Sequence, residues 1–338
     1  MSYLLATGEY MKFHRFFLNT KILIPVIGSL LIASALTGCS EDAKTPRSSS
    51  TASTLPSENA KPVKGTRDNT PVCLVPEATG SVVYDNEFAV LDASNSAEGY
   101  VVVRYIGTSP KVKLQITGPN ETTYTYNLST SEHKDEVFPL QSGDGEYIIN
   151  VFENISGTQY SMVFTKPIDV TLRDANLPFL YPNQYVDFDK DDQAIAKGAE
   201  LSYSCNNDLE VVSSIYNYLI ENISYDYAEA ETVQSGYIPD IDEVLSTKKG
   251  ICLDYAVLMS SMLRSQQIPT RMEVGYAGTA YHAWISTYIK DIGWVNGMIE
   301  FDGAKWSLMD PTFASNTGEK ELRSFIGDGS NYSVKYIY

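Results

Sequence analysis

Residues Lys248–Arg271 read KKGICLDYAVLMSSMLRSQQIPTR. A glycine-containing turn runs into a segment where Ala256, Met259, Met262 and Leu263 recur at helical spacing, so a helix is expected with Cys252 as its first residue. Cysteine is among the most buried residue types, and a helical cysteine taken alone reads as core. Its position argues for more. Unpaired N–H groups and the macrodipole at a helix N-terminus favour a thiolate. The same N–H groups can receive the oxyanion of a tetrahedral intermediate. Gly250 lets the chain enter the helix tightly, and Asp254, at the third helical position, reads as a capping and dipole partner.

A thiol nucleophile needs a base, and the base needs a group to orient it. Of the three histidines, His14 precedes the globular sequence and His133 lies in the polar stretch SEHKDE, leaving His282 as the imidazole for Cys252. His282 falls in YHAWISTYI, whose strand periodicity puts His282, Trp284, Ser286 and Tyr288 on one face. Asp310 ends the strand predicted over Lys305–Met309, and Pro311 turns the chain out of the sheet there. An antiparallel arrangement can bring Asp310 beside His282, where it would fix the tautomer and stabilise the imidazolium. Trp284 and Trp306 read as core or pocket walls. A zinc site is disfavoured because Cys252, His282 and Asp310 have no further Cys or His beside them. No acidic loop carries calcium-ligand spacing, so no metal or cofactor is expected.

These motifs carry a resemblance. Gly250-Ile251-Cys252-Leu253-Asp254-Tyr255-Ala256, Ile268-Pro269-Thr270-Arg271, Tyr281-His282-Ala283-Trp284 and Trp306 with Asp310-Pro311-Thr312 resemble, in order and context, the transglutaminase-like superfamily over roughly 175 to 315. Ile223-Ser224-Tyr225-Asp226-Tyr227 resembles the segment that precedes the nucleophile in that superfamily. The resemblance implies a papain-like thiol fold with N-terminal helices packed on an antiparallel sheet. It also implies Cys252 as nucleophile, His282 as base and acid, and Asp310 as orienter. Tissue-type members carry a tryptophan after the nucleophile and another upstream that stabilises the oxyanion. Here Leu253 follows the cysteine and the upstream position falls near Tyr225 or Tyr227, either of which has a hydroxyl to donate. Hydrolysis of an amide is then at least as well supported as cross-linking.

The overall class is α+β, an all-β sandwich preceding the transglutaminase-like core. Residues 1–38 carry Lys12, Arg15 and Lys21 before an apolar run from Ile22 to Leu36, which matches a secretory signal and is short for a spanning helix. Leu36-Thr37-Gly38-Cys39 resembles a bacterial lipobox, which implies cleavage before Cys39 and lipidation of its thiol. Residues 39–70 are dominated by Ser, Thr and Pro and read as a flexible tether. Residues 71–170 hold short alternating runs such as KVKLQIT and TTYTYNL, separated by turn signals, which fit a sandwich. Tyr124 and Tyr126 there read as cross-strand pairs on a sheet surface. Residues 171–338 open with helix signals, Asn207 with Glu210 and Asp240 with Glu243, and end in strands.

With 25 Lys+Arg against 42 Asp+Glu, the formal charge of −17 opposes nucleic-acid binding, which rests on neutralising phosphates. The acidity also offers nothing to anionic lipid heads, so the lipid on Cys39 would hold the protein to its membrane. Such a protein is expected outside the bacterial cytoplasmic membrane or in the outer membrane, acting on a protein or peptide substrate. The rival expectation is a catalytically silent surface-binding or adhesion module that keeps the fold. Cys73 and Cys205 can pair outside the cytosol, which would leave Cys252 free. Oligomeric state is left open.

Overall fold

The computed structural model describes residues 62–131, 133–296, 298–301, 306–309 and 332–338. The leader, Cys39, most of the tether and Asp310 lie outside the described residues. From Val63 onward the described chain belongs to one compact unit.

The described residues of 83–170 hold eight strands, joined by turns and one short 3-10 helix at Ser96–Glu98. One four-stranded sheet takes β1 (Val83–Asp85), β2 (Ala89–Asp92), β3 (Tyr100–Tyr105) and β6 (Glu136–Pro139) in the order β1-β2-β3-β6. The other takes β4 (Val112–Thr117), β5 (Thr123–Leu128), β7 (Gly145–Ser156) and β8 (Gln159–Val170) in the order β5-β4-β7-β8. Every pairing in both is antiparallel. The alternation in the sequence has a direct structural counterpart. Along β4, Val112, Leu114 and Ile116 are buried while the lysine, glutamine and threonine between them are half-exposed. These apolar faces meet in a common core with Leu91, Val101, Val103, Ile149 and Val151.

Tyr124 and Tyr126 depart from expectation. Both are buried rather than set on a sheet surface, and their rings pack against Tyr336 and Tyr338 at centroid distances of 5.7 to 6.1 Å. Periodicity located the face they occupy, but the partner that covers it lies some 200 residues further on, beyond any local pattern.

The helices follow their caps. In α2 (Asp208–Asn222) the Asn207 side chain accepts from the Glu210 N–H at 3.0 Å. In α4 (Ile241–Thr247) Asp240 accepts from Asp242 and Glu243. Replacing Asn207 by alanine is expected to cost about 1 kcal/mol, read as a lower urea midpoint at unchanged slope. Between these helices lie β9 (Ser224–Tyr225) and α3 (Tyr227–Thr232); α1 (Gln193–Leu201) precedes them. Strand β10 (Lys249–Gly250) pairs parallel with β9 and leads into α5 (Cys252–Ser265).

All 14 residues of α5 are buried, so the helix has no solvent face. Helices α1, α2 and α4 pack around it, together with β11 (Thr270–Ala277) and β12 (Ala280–Ile289). Gly198 of α1 allows close approach, since a Cβ there would stand 3.1 Å from Met262 Cβ. Strand β13 (Gly293–Asn296) and strand β16 (Tyr332–Ile337) complete an antiparallel sheet of order β13-β12-β11-β16. Strand β14 (Met298–Phe301) and β15 (Trp306–Met309) form a separate hairpin.

The sequence leaves a Cys73–Cys205 pairing open, with both thiols reduced as the other reading. Cys73, Cys205 and Cys252 are all free thiols. The last residues expected as tether are docked: the Gly65 N–H donates to Tyr203 O, Arg67 Nε meets Asp208 at 2.7 Å, and Asn69 donates to Ala199 O. A polar segment with little aliphatic content can be held by hydrogen bonds, which composition does not register.

Candidate active site

The site starts from the turn into α5. β9 and β10 align Tyr225 with Gly250, and the Asp226 N–H donates to Gly250 O at 2.9 Å. Gly250 is required by space, because a Cβ there would lie 2.6 Å from Asp254 Cβ. Ile251 is extended, with φ −93° and ψ 178°, and the helix begins at Cys252. The first N–H groups of any helix have no intrahelical acceptor. The Asp254 carboxylate folds back to accept from the Ile251 N–H at 2.6 Å, which is the capping role expected of it.

Cys252 and His282 line the same cavity, of about 100 Å³. Both are nearly closed off from solvent, Cys252 at 3% and His282 at 7% exposure. Leu253, Met272 and Val274 supply an aliphatic wall, and Tyr185, Tyr281, Tyr336 and Tyr338 an aromatic one. Burial pushes the phenols of Tyr185 and Tyr338 upward, so both stay protonated at neutral pH. The Tyr338 ring also packs edge-on against Tyr124 and Tyr126 and at a tilt against Tyr185, so the β-rich half of the molecule backs the cavity wall. Tyr281 belongs to the YHAW motif, but sequence reasoning missed Tyr185, which comes from a loop, and Tyr336 and Tyr338 near the end of the chain.

His282 is supported on its strand. The Trp284 ring stacks on it at 6.2 Å and 23°, consistent with the expected shared face. Trp284 Nε1 donates to Glu273 Oε2 at 2.7 Å across the β11–β12 pair, where the two residues are register partners. Burial pushes the Glu273 carboxyl up, partly offset by hydrogen bonds from Ser286 and Trp284. The alternation of RMEVGY signalled a strand but gave no sign that Glu273 would turn inward; a buried acid opposite a tryptophan is visible only once register is known.

The remaining candidates fall as follows. Tyr225 is half-buried beside the turn, whereas Tyr227 is 53% exposed; their rings meet edge-on at 5.0 Å. The cavity walls come from residues other than these two. Asp310 lies outside the described residues, immediately after β15. His133 is exposed in its loop. Among the described residues no cluster of His, Cys, Asp and Glu has metal-binding geometry, and no helix is long and apolar enough to cross a membrane.

A thiol at a helix start, lining the same cavity as an imidazole, has the groups that acyl transfer needs. Residues 195–297 match the family model of the transglutaminase-like superfamily. Over those residues the chain is similar to a transglutaminase-like domain. Among curated proteins, the UPF0252 protein MJ1282 of Methanocaldococcus jannaschii is 30% identical over 143 residues, covering 38% of this chain and 39% of that one. The uncharacterised protein YebA of Bacillus subtilis is 21% identical over 210 residues, 53% of this chain and 28% of its own. The chain thus spans well under half the length of these relatives. Solved structures with similarity include a provisionally assigned cysteine protease from Cytophaga hutchinsonii, 18% identical at TM-score 0.34, covering 68% of this chain and 79% of that one. The periplasmic domain of TgpA from Pseudomonas aeruginosa is 15% identical at TM-score 0.31, covering 69% and 95%.

Proposed function

We propose that this protein is an exported thiol enzyme acting on amide bonds of protein or peptide substrates. The observation that carries the reading is the shared cavity of Cys252 and His282. In this reading the Cys252 sulfur attacks a carboxamide or peptide carbonyl, forming the S–C bond while the thiol proton passes to His282. N–H groups at the start of α5 receive the oxyanion. Tyr225, whose strand is tied to Gly250, is a better candidate than Tyr227 for an added donor. Collapse breaks the C–N bond, His282 returns its proton to the departing amine or ammonia, and a thioester remains. Water or a second amine, deprotonated by His282, then attacks the thioester and releases Cys252. Water makes the protein a protease or deamidase, and an amine makes it a transamidase. Asp310 takes the orienting role that the resemblance gives it.

The leader and Cys39 give this enzyme a lipid anchor outside the bacterial cytoplasmic membrane or in the outer membrane. The strands at 83–170 would form a sandwich module ahead of a papain-like core. The second reading, a silent surface-binding module, draws support from the low exposure of both Cys252 and His282.

Incubating the protein with a glutamine-containing protein and a labelled primary amine separates the two. Label incorporation, ammonia release or new peptide termini, each abolished in Cys252→Ala, is the expected result. None of the three, in protein with a folded thermal transition, would leave only the binding module.

A further inference from the structure

Asp254 does more than an ordinary cap requires. A serine or a solvent-facing glutamate can satisfy a helix N-terminus without burying charge. Asp254 is instead 0% exposed. Its Oδ2 accepts from the Ile251 N–H at 2.6 Å, and its Oδ1 accepts from the Tyr237 hydroxyl at 2.8 Å. Its Cβ fills the space that Gly250 leaves empty. Tyr237 belongs to neither α5 nor the sheet; it lies on the connection between α3 and α4. Two separate pieces of backbone are therefore tied to one carboxylate, two residues beyond the nucleophile.

The cost of this arrangement is visible. Burial, helped by the charges of Glu229 and Glu243, pushes the Asp254 carboxyl up to about 6, against the opposing effect of the Ile251 N–H and the Tyr237 hydroxyl. A carboxyl raised in the folded state contributes most to stability below the ordinary carboxylate range, and that contribution is lost as pH rises through about 6. At neutral pH the fold holds a buried, ionised group that it would be more stable without.

We propose that Asp254, clasped by Tyr237, is a positioning residue that fixes the Gly250–Ile251–Cys252 turn and so sets the thiol in the cavity it shares with His282. The inference rests on the reading of Cys252 as nucleophile. The ionised carboxylate is the form that accepts from both donors at once; protonating one oxygen removes an acceptor. The titratable groups facing it are Tyr237 from the connection, Glu229 from α3 and Glu243 from α4.

The test uses the full chain as Asp254→Asn and Tyr237→Phe. Two quantities are read: the pH profile of Cys252 alkylation by iodoacetamide, followed by peptide mass, and the thermal midpoint at pH 5 and pH 8. Asp254→Asn is expected to slow alkylation and turnover by about 100-fold, the scale of a misplaced reacting group. Its midpoint at pH 8 should hold or rise, because the buried charge has gone. Tyr237→Phe, which loses one hydroxyl, should slow both by about tenfold on the same scale. Wild-type labelling and profile in either variant would overturn the clasp. So would a loss of labelling that only tracks a collapse of the thermal midpoint, which is what a purely structural cap would give. A wild-type Cys252 that labels only in the free-thiol range, indifferent to His282→Ala, would instead defeat the nucleophile reading and take the clasp with it.

Discussion

His282→Ala is expected to lower turnover on an amide substrate by about 10²–10⁴-fold, the usual contribution of a general acid–base group, while the protein stays folded. The same substitution should move alkylation of Cys252 to higher pH, toward the free-thiol range near 8.5. The two readouts differ in size for a physical reason. Turnover needs the imidazole twice, to take the thiol proton and then to protonate a poor leaving group. Alkylation has a good leaving group and needs only the thiolate. A thiolate stabilised by a neighbouring cation is also intrinsically a weaker nucleophile, so the alkylation rate changes less than the thiolate fraction does. The displaced pH profile is therefore the sharper sign of a thiol–imidazole pair, and the collapse of turnover is the larger effect. A profile identical in wild type and variant would show that the shared cavity brings the two groups together without coupling them.

Cys252 and His282, which line one cavity, could be paired from the sequence because the inventory was so small: one imidazole within reach in sequence context, and one cysteine at a helix start. The caps at Asn207 and Asp240 were legible because each is decided within four residues. What escaped notice depends on contacts between distant segments. The sequence marks Ala256, Met259, Met262 and Leu263 as a stripe, yet Ser260, Ser261 and Arg264 on the same helix are as deeply buried. Polar residues read as a solvent face unless one knows that α1, α2, α4 and the sheet enclose α5 on every side. The cavity's tyrosines were hidden similarly. Tyr336 and Tyr338 look like the fraying end of a chain until β16 is seen paired with β11, with Tyr338 N–H and O both bonded to Met272. Arg67, in a stretch composed like a linker, reaches Asp208 and the Gln266 carbonyl, contacts across some 140 to 200 residues that no composition window can detect.

Arg264→Ala is expected to destabilise the protein by about 3–5 kcal/mol, the range for breaking a buried, hydrogen-bonded charge. Arg264 is 1% exposed and has carbonyls as its hydrogen-bond partners: Nε and Nη2 donate to Thr270 O at 3.0 and 2.9 Å, Nη2 also to Tyr338 O at 2.8 Å, and Nη1 to Tyr181 O at 2.8 Å. Burial pulls the guanidinium down to about 9, still high enough to keep it charged at neutral pH. Truncation leaves those carbonyls without this donor and opens a cavity in the centre of the helical half. Arg264→Lys should recover only part of the loss, because one ammonium cannot span three carbonyls held in the plane of a guanidinium fork. The same bonds join the end of α5 to β11, to the loop before α1 and to Tyr338, whose ring walls the cavity. Arg264→Lys should therefore also reduce turnover at temperatures well below its own midpoint, with urea unfolding giving the stability and a labelled-amine assay the activity. If stability falls while the remaining folded protein turns over at the wild-type rate, Arg264 braces the core alone and the tyrosine wall is held without it.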